Sequence, residues 1–277
     1  MKKDLEKYQL VERSIQKKYR SALWTPFVRA VKQYELIREG DRIAVCISGG
    51  KDSMLMAKLI QLLHRYSEVP FEAVYLVMDP GYNEANRQKI EDNAKLLHIP
   101  ITVFETQIFE VANHTGDAPC YLCARMRRGS LYSKAKELGC NKIALGHHLN
   151  DVIETTVMMM LYSSQLKGML PKLHSTNFEG MELIRPLYCV READILAWKA
   201  YNGLDFIRCA CRFTESLEGG DGVGSSKRQE VKALIAQLKK GNPEVEKSIF
   251  NSIHAVNIET FPGFKADGRM HCYLEDY

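Results

Sequence analysis

Ser48-Gly49-Gly50-Lys51-Asp52-Ser53 stands between an apolar run, Ile43-Ala44-Val45-Cys46-Ile47, and a helix-compatible one, Met54-Leu55-Met56-Ala57-Lys58-Leu59-Ile60. A strand that runs into two glycines can bring backbone N–H groups close to an anion, and the helix that starts next adds its partial positive charge. Lys51 supplies a full one. The segment therefore reads as a phosphate cradle. It is not a P-loop of the form Gly-x-x-x-x-Gly-Lys-Ser/Thr, because Asp52 follows Lys51 and Val45 stands five positions before Gly50. An ordinary glycine-rich strand-to-helix turn explains the two glycines but not the whole run of residues in this context.

Outward from the cradle, strand and helix patterns alternate. Strands are expected at 42–47, 71–78, 101–105 and 142–146, and helices at 52–64, 83–98, 120–138 and 150–162. A further strand is expected at 183–188, then helices at 191–201, 225–240 and 243–256. Alternation of this kind predicts an α/β fold with a parallel sheet wound by helices, whose ligands bind beyond the carboxyl ends of the strands. Ser48–Ser53, Asp79-Pro80-Gly81 and Gly146-His147-His148 all fall there. His147 and His148 are read equally well as catalytic groups or as satisfied sheet-edge histidines. Before the cradle, Leu5, Tyr8, Val11, Ile15 and Tyr19 recur at helical steps, and a second helix is expected over 26–39. Three regions result: a basic helical N-terminal extension (1–40), an α/β catalytic domain (41–215) and a helical C-terminal extension (216–277). Gly219-Gly220-Asp221-Gly222-Val223-Gly224 reads as a mobile loop.

The chain has 277 residues, 45% of them hydrophobic, which is enough for a full core. No apolar stretch reaches the roughly 20 residues of a membrane span, and the first residues lack the apolar segment of a signal peptide, so a cytoplasmic protein without membrane contact is expected. Residues 1–40 hold ten Lys/Arg (Lys2, Lys3, Lys7, Arg13, Lys17, Lys18, Arg20, Arg29, Lys32, Arg38) against five acids, so all of the net +4 sits there. A concentrated basic element points to a polyanion such as nucleic acid, although a solvated helix face explains it equally well when taken alone.

Eight cysteines in an intracellular chain of this size point to metal or sulfur chemistry rather than disulfides. Cys120 and Cys123 follow Pro119 and lead into Arg125, Arg127 and Arg128, so both thiols sit at a helix start where the dipole and guanidinium groups favour thiolate. Thiolates so placed bind soft metal, exchange disulfides or carry persulfide sulfur. Cys209 and Cys211 form a second pair. Two pairs permit a tetrahedral zinc site, but Cys-x-Cys is an uncommon half for one, and three thiolates on an iron–sulfur cubane are the stronger alternative. Cys46, Cys140, Cys189 and Cys272 stand singly and read as structural.

Ser48-Gly49-Gly50-Lys51-Asp52-Ser53 resembles the PP-loop of ATP pyrophosphatases, whose fold is adenine-nucleotide α-hydrolase-like. Pro119-Cys120-Tyr121-Leu122-Cys123-Ala124-Arg125-Met126-Arg127-Arg128-Gly129, Ala144-Leu145-Gly146-His147-His148-Leu149-Asn150-Asp151-Val152-Ile153-Glu154-Thr155 and Ile184-Arg185-Pro186-Leu187 resemble the tRNA 2-thiocytidine synthetases, in that family's order over roughly residues 25–260. The resemblance implies an ATP-dependent tRNA sulfurtransferase that makes 2-thiocytidine in the anticodon loop. It implies that ATP and Mg²⁺ bind at Ser48, Gly49, Gly50, Lys51, Asp52 and Ser53, with Asp79, Gly146 and His147 beside them. It implies catalytic roles for Lys51, Asp52 and Asp151, and a [4Fe-4S] cluster on Cys120, Cys123 and Cys211 with one open iron. Its partners are tRNA and a sulfur donor, either sulfide or a cysteine desulfurase; the sequence leaves a homodimer open. Two departures stand out: Cys209-Ala210-Cys211 replaces the family's Cys-x-x-Cys, and Asn150 replaces the first of its paired aspartates, where it can serve as an N-cap.

These parts suit one chemistry. A 2-oxo group leaves poorly until its oxygen has attacked the α-phosphate of ATP, releasing pyrophosphate; the adenylate then departs as AMP when sulfide attacks. Lys51, the loop amides and Mg²⁺ would neutralise phosphate charge, while Arg125, Arg127, Arg128 and the basic N-terminal helices would follow the RNA backbone. Two other readings remain at this point: a PP-loop ligase or amidotransferase acting on a small molecule without a cluster, and a non-catalytic cluster-bearing redox sensor that binds nucleic acid.

Overall fold

A computed structural model describes residues 5–109, 119–207 and 227–275, leaving out the side chains of 119–124. The chain divides into two compact units, Met1–Asp151 with Leu170–Gly224, and Val152–Met169 with Ser225–Tyr277.

The first unit is built on a six-stranded sheet: β1 (Arg42–Ile47), β2 (Glu72–Asp79), β3 (Ile101–Glu105), β4 (Lys142–Ala144), β5 (Lys172–His174) and β6 (Glu182–Ile184), ordered β3-β2-β1-β4-β6-β5. All pairings are parallel except β5 with β6. Ile43, Ala44 and Val45 of the central β1 are fully buried, as expected of a strand covered on both faces. The helices between strands are α3 (Lys51–Tyr66), α4 (Glu84–Leu96) and α5 (Pro119–Glu137); α1 (Lys7–Gln16), a π-helical turn (Arg20–Trp24) and α2 (Thr25–Gln33) precede the sheet. Helix α6 (Leu149–Tyr162) follows β4, and α7 (Glu192–Tyr201) follows β6. The wound α/β fold expected from the alternation is the one observed. After β1 the chain adds β2 and β3 on one side and then crosses to place β4 on the other, so the reversal of strand order lies between β1 and β4. Ligands of open α/β sheets bind at the carboxyl ends of such a pair.

The expected strand at 183–188 is shorter. It stops at Ile184, and Tyr188 N–H donates to the Arg185 carbonyl in a turn (3.1 Å), because Pro186 has no N–H to continue a ladder. The antiparallel edge strand β5 was not expected. The N-terminal lead holds the two expected helices with other bounds: α1 ends at Gln16, a π-helical turn follows, and α2 stops at Gln33 rather than at 39. Val11, Ile15, Leu23 and Phe27 are fully buried. Glu12 on α1 accepts from Lys58 Nζ (2.8 Å), which is completely buried on α3, and from Arg65 (2.8 Å). The lead is thus packed against α3. At the opposite end of the sheet from the cradle, buried Lys142 pairs with Asp41 (2.7 Å) and Glu182 (3.1 Å), tying the amino ends of β1, β4 and β6.

The second unit holds α6 from Val152 onward, α8 (Lys227–Gly241), α9 (Val245–Ser252) and a hairpin of β7 (Gly263–Ala266) and β8 (Arg269–Cys272). Helix α8 matches the one expected at 225–240, α9 is shorter than the expected 243–256 and ends at Ser252, and the hairpin was missed. Among the described residues no helix is long and apolar enough to cross a membrane.

Candidate active site

Ser48-Gly49-Gly50 links β1 to α3, which begins at Lys51. Gly49 has φ +84°, and a Cβ on it would meet Ile90 Cγ1 at 2.5 Å and Ile207 Cδ1 at 2.7 Å, so both conformation and space require glycine. The Ser53 hydroxyl accepts from Ser48 N–H (3.1 Å) and donates to the Gly50 carbonyl (3.0 Å), closing the loop on itself. From the neighbouring strand end, Gly146 presses on the first turn of α3: a Cβ there would stand 3.1 Å from Ser53 N and 3.2 Å from Asp52 C. The close approach of the segments after β1 and β4 therefore rests on a glycine on each side.

Between them lies a cavity of ≈ 420 Å³ whose walls include Ser48, Asp52, Ser53, Gly146, His147, Asp151, Arg127 and Arg128. Met78, Leu131, Ile143 and Leu145 supply apolar wall, as a site for a flat heterocycle requires. Cys46 also lines it, but burial pushes its thiol up to about 12, so it stays a neutral wall group.

The polar groups form a connected set. Lys51 Nζ lies 3.0 Å from Asp52 Oδ2 and 3.1 Å from Glu192 Oε1. Burial works against the ammonium charge, but the two carboxylates outweigh it and hold the Lys51 pKa above its ordinary value. The other Asp52 oxygen, Oδ1, is buried and has no hydrogen-bond partner; His148 Nε2 is 3.8 Å away. His148, itself buried, has Nδ1 3.3 Å from Asp151 Oδ2; its backbone N–H donates to that oxygen (3.0 Å) and its Nδ1 accepts from Asp151 N–H (3.3 Å), so one imidazole stands between the two carboxylates. Asn150 Oδ1 accepts from Glu192 N–H (2.9 Å): it satisfies an orphan donor of α7, not of its own helix, and by doing so fixes the residue that holds Lys51.

The structure brings together Ser48, Gly49, Gly50, Lys51, Asp52, Ser53, Gly146, His147 and Asp151. It places Asp79 elsewhere. That carboxylate accepts from Gly81 and Tyr82 N–H (2.8 and 2.7 Å), pairs with Arg87 (2.6 Å), and lines a neighbouring cavity with Glu105 and Thr106. Burial would raise its pKa, but the two backbone donors and Arg87 win and hold it below the usual range. Cys120 and Cys123 lie on the first turn of α5, three positions apart and so on one face; their side chains are outside the described set. Cys211 is outside the described residues, as is the loop 219–224. Sequence reasoning missed Glu192, whose role depends on a contact between distant elements, and it gave His148 no definite part.

This arrangement defines a class: residues 15–211 match the PP-loop domain family, so the chain is a PP-loop protein. A tRNA-cytidine(32) 2-sulfurtransferase of Geobacter sulfurreducens is 35% identical over 81% of this chain and 86% of its own. One from Vibrio parahaemolyticus is 34% identical over 92% of this chain and 82% of its own. The chain belongs to the tRNA-cytidine(32) 2-sulfurtransferase family. In structure it is similar to the U34-tRNA thiolase NcsA from Methanococcus maripaludis with its [4Fe-4S] cluster, at TM-score 0.65 and 20% identity, over 83% of this chain and 76% of that one. The likeness supports the fold.

Proposed function

We propose that this enzyme replaces the 2-oxo oxygen of a tRNA cytidine, at position 32 as in its relatives' names, with sulfur at the expense of ATP. The observation that carries the reading is the cavity itself: the PP-loop faces Gly146-His147 across the β1–β4 switch point, and Arg127 and Arg128 from the cysteine-bearing helix close it. In this reading Lys51, presented at the start of α3, meets the phosphates, and the helix terminus adds its dipole. The residues fit Mg²⁺, since the unpartnered Asp52 Oδ1 and the Asp151 carboxylate line one cavity and a hard cation takes one or two carboxylates together with phosphate oxygens. Charge developing on the α-phosphate as the base oxygen attacks would be met by Lys51, which Asp52 and Glu192 hold in place, and by Arg127 and Arg128 at the cavity wall.

Cys120 and Cys123, on one face of the first turn of α5, form a thiolate pair fit for a [4Fe-4S] cluster with Cys211 as third ligand. Such a cluster, when bound, would hold the incoming sulfide, supplied as free sulfide or by a cysteine desulfurase. With tRNA as substrate, the cytoplasm is the compartment. Nucleoside mass spectrometry tests the reading: tRNA from cells lacking the gene should lack 2-thiocytidine, and the wild-type gene but not Lys51→Ala should restore it. Unchanged 2-thiocytidine in the deletion strain would refute the assignment.

A further inference from the structure

Beside the PP-loop cavity lies a larger one of ≈ 730 Å³, within the roughly 300–1,000 Å³ of small-ligand sites. Arg128 lines both, so whatever fills the larger cavity is a neighbour of the ATP site. Arg125, three positions earlier on the same helix, stands at its wall, and no Asp or Glu is among the residues that line it. Arg185, outside the lining but near Arg128, has a buried Nε without a hydrogen-bond partner and donates from Nη1 to the Leu170 carbonyl. Burial and the nearby Arg128 guanidinium depress Arg185 to about 10, against weaker opposing effects of Tyr132, Tyr188 and Asp151. Two guanidinium groups one turn apart on the same helix, with no carboxylate in the lining, suit a phosphate.

Tyr132, one turn on from Arg128 along the same helix, begins the aromatic part of the lining, and His174 lines the cavity as well. Phe178 stacks on Tyr132 with centroids 4.9 Å apart and planes 9° from parallel. Tyr132 is buried and hydrogen-bonds Ser175, so the ring under Phe178 cannot swing away. Ser175 and Asn177 add donors and acceptors to the same lining. Guanidinium groups in one cavity with a backed aromatic ring and short polar side chains form a site for a single-stranded nucleotide, whose base stacks and whose backbone carries the charge.

We propose that this cavity is a subsite for a nucleotide adjoining the reacting base in the RNA strand, its base against Phe178 and its phosphate on Arg125 and Arg128. The inference rests on the tRNA reading above and deepens it, giving the strand a second anchor that aims the target base at the PP-loop. ATP phosphate has the same chemistry, and the test separates the two sources. Binding of a fluorescein-labelled anticodon stem–loop to the purified full chain is measured by anisotropy, and ATP binding by calorimetry. Phe178→Leu keeps apolar volume but removes the stack; it should weaken RNA binding roughly tenfold or more, the scale of one lost base–aromatic stack, with ATP affinity unchanged, and Phe178→Trp should bind like wild type. Arg125→Gln, at an exposed position that does not line the ATP cavity, should weaken RNA binding and lower its salt slope by about 0.7. Wild-type RNA affinity in both Phe178→Leu and Arg125→Gln overturns the subsite alone, as does Arg125→Gln weakening ATP but not RNA. A wild-type chain that does not bind the stem–loop overturns the tRNA reading and the subsite together.

Discussion

Lys51 is held between two carboxylates, Asp52 at 3.0 Å and Glu192 at 3.1 Å, and in the proposed function these contacts would position it for a triphosphate. A free lysine head is a flexible point charge; here its position is set by α7, whose first residue is capped from across the site by Asn150. Lys51→Ala should lower ATP-dependent pyrophosphate release by about 10²–10³, the scale for one preorganised charge contact, while the melting curve stays that of wild type. Glu192→Gln should give a smaller loss, seen mainly as a raised KM for ATP. Unchanged kinetics in Glu192→Gln would show that Asp52 alone positions the lysine. The same contacts show what one chain position can and cannot reveal. Ser48–Ser53 was readable because six adjacent residues carry the pattern. The cap expected at Asn150 exists, but on another helix, since the spatial neighbour of residue 150 is residue 192.

At the scale of elements, the cradle depends on how closely the segment after β4 approaches α3. Gly146→Ala places a Cβ about 3.1 Å from backbone that cannot give way as a side-chain tip can. It should therefore shift the first turn of α3 and weaken ATP binding at least tenfold with secondary structure retained; calorimetry showing wild-type affinity would mean the turn tolerates the methyl. The α1–α3 junction makes a stability prediction. Burial pushes the Glu12 carboxyl up, but bonds from Arg65 and Lys58 outweigh it and hold it below the usual range. A carboxyl depressed in the folded state contributes in full above its unfolded value of about 4.3 and loses that contribution as pH falls through the folded one. Wild-type stability should therefore fall as pH drops below about 4. Glu12→Ala, which leaves a buried ammonium without its counter-charge, should cost about 3–5 kcal/mol at neutral pH and flatten that acid limb. Denaturant titrations at pH 3 to 7 decide it. Elements with strong local signals were legible: 42–47 and 101–105 match β1 and β3 residue for residue. The β7–β8 hairpin also carried its signal, Asp267-Gly268, both at positive φ (48° and 77°), and was overlooked rather than hidden. Strand β5 is three residues long and acquires its conformation from pairing with β6, which no local pattern encodes.

Across the whole molecule, the fold and the PP-loop were readable because alternation and the loop are patterns of adjacent residues, whereas Phe178 and the arginines of the larger cavity come from segments about 50 residues apart. The basic lead gains definition from its packing. Lys17, Lys18 and Arg20 are all exposed, and Lys18 sits 3.8 Å over the Tyr201 ring, so Lys17 and Arg20 are the pair whose reversal leaves that ring contact intact. Changing both to Glu should weaken tRNA binding and lower its salt slope by about two units without altering ATP affinity; unchanged tRNA affinity would leave the lead as a packing element alone. The last assignment joins the most distant parts of the chain, Cys120 and Cys123 at the start of α5 with the Cys209-Ala210-Cys211 segment. A cubane with three thiolate ligands loses a corner when any one is replaced, whereas a tetrahedral zinc site needs all four. Four single Cys→Ser proteins, purified without oxygen, distinguish the cases. With Cys120, Cys123 and Cys211 as ligands, Cys209→Ser stays brown and active and the other three lose iron and thiolation together. Loss of metal in all four, with zinc in the wild type, would replace the cluster by a structural site. If Cys209 is essential and Cys211 dispensable, the third ligand moves by two residues and the sulfur chemistry is unchanged. Four colourless, active variants would rule the cluster out and leave persulfide transfer as the route for sulfur.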